Sequence, residues 1–189
     1  MTLGRRAAPL PVSFFRRDAA AVARDLLGAL LVSGEGSRRT AGRIVEVEAY
    51  LGAEDPASHA FRFRRHRQNA AIYGPPGSWY VYRSYGMHWC ANLVAGPEGH
   101  GAAVLLRALE PLEGVPLMRR RRRAVGDRIL CAGPGRLTEA LRITRSLDGL
   151  AMLRSSGVVL AGDAVGPGAI EATPRIGISR AAEWPLRFV

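Results

Sequence analysis

Between Gly42 and Tyr50 the chain reads GRIVEVEAY, and side-chain character changes at nearly every step. That period of two predicts a β-strand, with Val45, Val47 and Ala49 on one face and Ile44, Glu46, Glu48 and Tyr50 on the other. GAAVLLRALE, Gly101 to Glu110, is apolar on both faces, as a central strand is, apart from the arginine at 107. In SWYVYRSYGMHW, Ser78 to Trp89, Tyr80 and Tyr82 share one strand face while Trp79 and Val81 share the other. Ser84-Tyr85-Gly86 then reads as a turn into a second strand, MHWCANLV, so the hairpin carries Tyr85 at its tip. Helical spacing occurs twice. Asp18 caps a segment in which Val22, Leu26, Leu27 and Leu30 recur, and Pro134 opens another with Leu137, Ala140 and Leu141 as its apolar stripe. The stretch from Leu51 to about Gly77 reads as loop, and the chain beyond Leu160 is Gly- and Pro-rich with short strand-like pieces such as PRIGI. Strands and helices in this order, without regular β-α alternation, predict an α+β fold rather than a doubly wound sheet.

At 189 residues the chain suits one domain with a proper core, spanning 1–189 with residues 1–13 expected to be flexible. No uninterrupted apolar run approaches the ~18 residues of a membrane span. MTLGRRAAPLPVS lacks the apolar stretch of a secretory signal. Cys90 and Cys131 form no C-x-x-C, so two free thiols in a reducing, intracellular setting are expected.

The net charge is +11, and all 27 basic residues are arginine. A genome that favours arginine codons accounts for the missing lysines but not for the surplus of charge, which points to a polyanion such as nucleic acid. Arginine's planar fork also suits phosphate. The absence of lysine removes the usual donor of a Schiff base to a sugar aldehyde and leaves only the N-terminal amine.

Glu46 and Glu48 beside Tyr50, taken alone, fit a solvent-facing strand edge. Arg107 changes that picture. It is the single charge in a segment that reads as buried, and a buried guanidinium requires a carboxylate, which Glu48 or Glu46 can supply. A carboxylate held this way can orient and deprotonate a water. The same two acids can instead hold magnesium in a nuclease, whereas His59, His66, His88 and His100 show no zinc spacing. Tyr85 either folds onto a neighbouring loop or, on a protein of this charge, wedges between the base steps of a duplex. FRFRRHRQN and Arg119 to Arg123 read as solvated faces or phosphate contacts. The helix start GPGR offers free N–H groups to a phosphate, with Gly135 allowing close approach and Arg136 beside them.

Five segments carry a resemblance: IVEVEAYLGAEDPASHA, YGPPGSWYVYRSYGMHWCANLV, AVLLRALEPLEG, CAGPGRLTEAL and RIGISRAAEWPLRF. In this order and spacing, from about Phe14 to Phe188, the chain resembles the alkyladenine (3-methyladenine) DNA glycosylases. The resemblance implies a single mixed domain with a curved antiparallel sheet, flanking helices and a β-hairpin that enters the minor groove. It implies Glu48 as the general base that activates water, with Arg107 and the main-chain carbonyl of Ile176 helping to hold that water. Tyr50, His59 and Tyr82 would wall the pocket of a flipped base, Tyr85 would fill the vacated stack, and Asn92 would crowd the 2-amino group of guanine. Gly135, Arg136 and Arg145 fall at phosphate contacts and Arg122 at another basic contact.

The implied activity is monofunctional base-excision repair of double-stranded DNA containing damaged purines (3-methyladenine, 7-methylguanine, hypoxanthine, ethenoadenine). It would be carried out by a monomer with no cofactor and no metal, in the cytoplasm or at a bacterial nucleoid. Neutral lesions need a proton on leaving, for which His59 is the candidate. The family often has methionine at the position of Ile72, many members continue past the closing Arg-Phe, and Glu46 is not its catalytic carboxylate. Two other classes compete: a metal-dependent nuclease that a chelator inactivates, and a reader that binds damaged DNA but releases no base.

Overall fold

The computed structural model describes residues 8–123 and 126–189, so the first seven residues of the stretch expected to be flexible lie outside the described residues. Pro9 bridges to Leu160, and the Leu10 N–H donates to Val159 at 2.9 Å, before a short helix α1, Val12–Phe15. Asp18 caps helix α2, Ala19–Leu26, by accepting from the N–H groups of Ala20 and Ala21. Such a cap contributes about 1 kcal/mol. The helical spacing that runs on to Leu30 in the sequence is cut short. Gly28 takes φ +84°, and a Cβ there would lie 2.1 Å from the Asp163 carbonyl oxygen, so the chain turns out of the helix and enters strand β1, Leu30–Ser33.

The remaining strands are β2 (Thr40–Tyr50), β3 (Trp79–Ser84), β4 (His88–Ala95), β5 (Ala102–Glu113), β6 (Gly157–Leu160), β7 (Ala172–Thr173) and β8 (Arg187–Phe188). Helices α3 (Val115–Arg121), α4 (Asp127–Leu130) and α5 (Pro134–Leu141) lie between β5 and β6. The strands form one open antiparallel sheet in the order β3-β4-β5-β2-β1-β6, with β8 continuing β1's edge of β2 and β7 pairing with β8. This is an α+β fold. One sheet face, built from residues such as Val47, Leu106, Leu93 and Val81, packs on α2 and α5 in a single apolar cluster. The other face is covered by the long loop after β2, through a smaller cluster of Ala60, Ile72, Tyr73 and Tyr80. Among the described residues no helix is long and apolar enough to cross a membrane, and Cys90 and Cys131 are buried and unpaired.

Two expectations fail for identifiable reasons. Ile44 is 1% exposed and joins the core, whereas Val45 is 39% exposed, the reverse of the face assignment from alternation. The register explains it: Ile44 pairs with Leu109, Glu46 with Ala108 and Val47 with Leu106, which leaves Val45 of β2 and Arg107 of β5 unpaired in two adjoining bulges. PRIGI is not a strand. The Ile176 N–H donates to a side chain of the site described next rather than to a neighbouring strand.

Candidate active site

Beyond the bulges, β2 resumes with Val47 and Ala49 in the core and Glu48 and Tyr50 on the opposite face. The second bulge aims Arg107 at that same face. Its freed carbonyl accepts the Gly133 N–H at 2.9 Å, so the start of α5 is tied to the bulge. Arg107 Nε donates to Glu46 Oε1 at 2.8 Å, and its Nη1 stands 3.1 Å from Glu48 Oε1. The partner required by the sequence argument is therefore both acids. Glu48 is 0% exposed and further held by the Ile176 N–H on Oε1 (2.8 Å) and the Tyr50 hydroxyl on Oε2 (2.9 Å). All its partners donate, which matches the acceptor-only chemistry of a carboxylate, and among the described residues Oε2 keeps one lone pair uncommitted.

Glu46, whose role the resemblance leaves open, accepts from two arginines, because Arg187 Nε of β8 reaches Oε1 at 2.7 Å. Burial pushes the Glu46 pKa up, but the hydrogen bonds from Arg187 and Arg107 outweigh it and hold the carboxyl below its ordinary value. A depressed native value means that this stabilisation is present above the ordinary range near 4.5 and is lost as pH falls through and below it. Thermal melts on stepping down through that range should therefore show a loss of stability that Glu46→Gln reduces. An equally steep loss in the variant would assign the acid sensitivity to other groups.

Next to the carboxylates lies a cavity of ≈ 680 Å³ whose wall includes Tyr50, His59, Tyr82, Asn92, Arg107 and Ile176. With Tyr85 and Arg145, which also line it, the structure thus brings together nine of the site residues expected from the resemblance, counting Glu48 buried behind Tyr50, Arg107 and Ile176. Tyr82 stacks on Tyr80 with centroids 5.2 Å apart, and His59 meets Tyr82 edge-on at 4.6 Å. His59 Nδ1 is 2.7 Å from the Tyr80 hydroxyl, and burial followed by the nearby His66 pushes the imidazole below its ordinary value. A histidine so placed is neutral at neutral pH, which weakens it as the proton donor for uncharged lesions. Asn92 donates to the Tyr80 carbonyl at 3.0 Å, which fixes the orientation of its amide. Tyr80 and Leu105 were not singled out as wall residues, although alternation along their strands puts them on the same faces as Tyr82 and Arg107.

The hairpin tip stands at the cavity rim. Tyr85 is 83% exposed at φ +49° and Gly86 follows at φ +67°, with Met87 N–H donating to Ser84 at 3.0 Å. Two consecutive left-handed residues make the type I′ geometry that suits a twisted hairpin and project the ring outward. Met87, exposed beside it, is an apolar tip residue that sequence reasoning passed over.

The basic residues divide into two groups. Arg145 lines the cavity. Arg136 is exposed at the start of α5 with Nη1 on the Ala132 carbonyl. At Gly135 a Cβ would lie 2.6 Å from the His88 ring, so the glycine also makes room for the hairpin strand. Arg122 is only 14% exposed along its side chain, and its guanidinium binds Glu139 at 2.5 Å and the Leu130 carbonyl at 3.2 Å. It clamps α3, α4 and α5 together through Nε and Nη1. Arg121 is similarly spent, on the Ala140 carbonyl. Among the described residues no three His, Cys, Asp or Glu side chains converge as a metal site, and Glu46 and Glu48 take guanidinium groups where a cation would need their oxygens.

A family model described as Methylpurine-DNA glycosylase (MPG) matches residues 13–189. A protein of Methanoculleus marisnigri, provisionally named 3-methyladenine DNA glycosylase, is 50% identical over 183 residues, which is 95% of this chain and 93% of its own. Proteins bearing the same provisional name from Burkholderia cenocepacia and Rhodopseudomonas palustris are 47% and 51% identical, over 95% and 93% of this chain and 86% and 84% of theirs.

Proposed function

This chain belongs to the methylpurine-DNA glycosylase family, and from that premise we propose that it hydrolyses the N-glycosidic bond of an alkylated or deaminated purine flipped out of duplex DNA. It is a DNA glycosylase of the hydrolase class. The observation that carries the mechanistic reading is the Glu48 carboxylate, held by Tyr50, Arg107 and Ile176 behind an aromatic-walled cavity.

Extruding a base costs about a few kcal/mol, least for a damaged pair, and Tyr85 at the hairpin tip would fill the gap. Alkylation at N3 or N7 makes the purine cationic, and between Tyr50 and Tyr82 such a ring gains on the order of 0.5–2 kcal/mol over a neutral one. The same charge makes it a good leaving group. As the bond breaks with oxocarbenium character at the sugar, water bound to the uncommitted lone pair of Glu48 loses its proton to the carboxylate and attacks C1′. Glu48 is fully buried, so the water must be admitted between Tyr50, Arg107 and Ile176. Asn92 would crowd an undamaged guanine. Tyr85, Gly135, Arg136 and Arg145 are the proposed DNA contacts, and the protein would act as a monomer, without a cofactor, wherever the cell keeps its DNA.

Methylated duplex DNA incubated with the protein should release free purine, with or without EDTA, and leave an unbroken abasic strand until alkali is added. Borohydride present during turnover should trap no protein–DNA adduct, because there is no lysine to form an imine. Strand cleavage abolished by EDTA, with no free purine, would indicate the nuclease, and binding without release the reader. A trapped adduct would replace water by the N-terminal amine as nucleophile.

A further inference from the structure

One buried group outside the mechanism braces several of its parts from behind. Arg175 is fully buried along its side chain and pairs bidentately with Asp55, Nη1 to Oδ2 at 2.5 Å and Nη2 to Oδ1 at 2.9 Å. Nη1 also donates to the Ala49 carbonyl at 3.0 Å, in the peptide that joins Glu48's neighbour to Tyr50. Its guanidinium carbon lies 4.7 Å from the centroid of the Tyr50 ring. Because Tyr50 borders the cavity and Arg175 does not, the guanidinium backs the ring from the protein side. The next residue, Ile176, supplies the N–H on Glu48. Asp55 meanwhile accepts the Leu51 and Ala57 N–H groups and so shapes the loop that leads to His59.

Stability alone does not account for this arrangement. A buried ion pair is often no better than neutral side chains of similar size, and here Arg175 Nε is buried without a partner among the described residues. Resting on the glycosylase reading, we propose that the Asp55–Arg175 pair is a positioning device for the reaction. It fixes the Tyr50 ring against the flipped base and the Ile176 amide against Glu48, so that stacking and water activation share one support.

The test compares wild type with the double variant Asp55→Asn/Arg175→Met, in which no unpaired charge is left behind. Affinity for an undamaged duplex, carried by surface contacts, should stay within twofold, and the melting temperature should stay near wild type. The single-turnover rate of base release should fall roughly 10²-fold, the scale of a small misplacement of reacting groups. The fluorescence of ethenoadenine bound in a lesion duplex should also change, because its stacking partner is no longer held. Should the double variant fail to fold, Arg175→Lys decides on the same readouts. It keeps the charge but loses the bidentate fork and the stack, and should release base roughly 10-fold more slowly than wild type. Undiminished release by a folded variant, from a duplex that wild type also processes, overturns the positioning role alone. A wild type that releases no base overturns the glycosylase reading and this role with it.

Discussion

Glu48→Gln should bind a lesion-containing duplex about as tightly as wild type and release base ~10²–10⁴-fold more slowly, the usual cost of losing one general base. The substitution keeps the shape and one acceptor oxygen for the Ile176 N–H or the Tyr50 hydroxyl, but it removes the group that takes the proton from water. Single-turnover release and equilibrium binding on the same duplex separate the two effects. Glu46→Gln is the control, since Glu46 bonds two arginines and is not itself part of the cavity wall. If Glu46→Gln lost release while Glu48→Gln kept it, the roles assigned to the two acids would have to be exchanged.

Arg107→Met should cost about 3–5 kcal/mol of folding stability, because it strips a buried guanidinium from two carboxylates at once. The guanidinium's own desolvation is part of the arrangement: burial lowers the Arg107 pKa, and Glu48 and Glu46 more than restore it. Denaturant titration reads the loss directly. Combining the change with Glu48→Gln should cost less than the sum of the two single changes, since each removes the other's partner. Strict additivity, or a loss below about 1 kcal/mol, would mean that the pair behaves as a solvated surface contact.

The hairpin, the central strand and the two acids were legible because each rests on a local rule: alternation, a Tyr-Gly turn, and one charge in an apolar run. The bulge at Val45 was not legible. It depends on a second bulge at Arg107, and neither strand's sequence announces the other's extra residue. The α2 stop was missed because the leucine spacing continues past Gly28, where the neighbouring Asp163 carbonyl, far along the chain, leaves no room for a side chain. Arg175, read as part of a strand-like piece, hides in plain composition: among 27 arginines, one that is fully buried has no distinguishing neighbour in sequence. Arg122 shows the converse. A run of five arginines suggests a phosphate surface, yet Glu139 lies a short helix away to claim one of them.

The carboxylates and their supports are among the contacts with the widest separation along the chain: Glu48 meets the Ile176 amide 128 residues later, and Glu46 meets Arg187 141 residues later. The aromatic pocket, by contrast, draws Tyr50, His59, Tyr80, Tyr82 and Asn92 from one stretch of the first half. During synthesis at roughly 5–20 residues per second, Glu46 therefore waits on the order of 7–30 s for Arg187 to be added. The aromatic residues of the recess are therefore made well before the partners that brace the two carboxylates. The two carboxylates gain their full sets of supports only once the segment from Ile176 to Arg187 has been added.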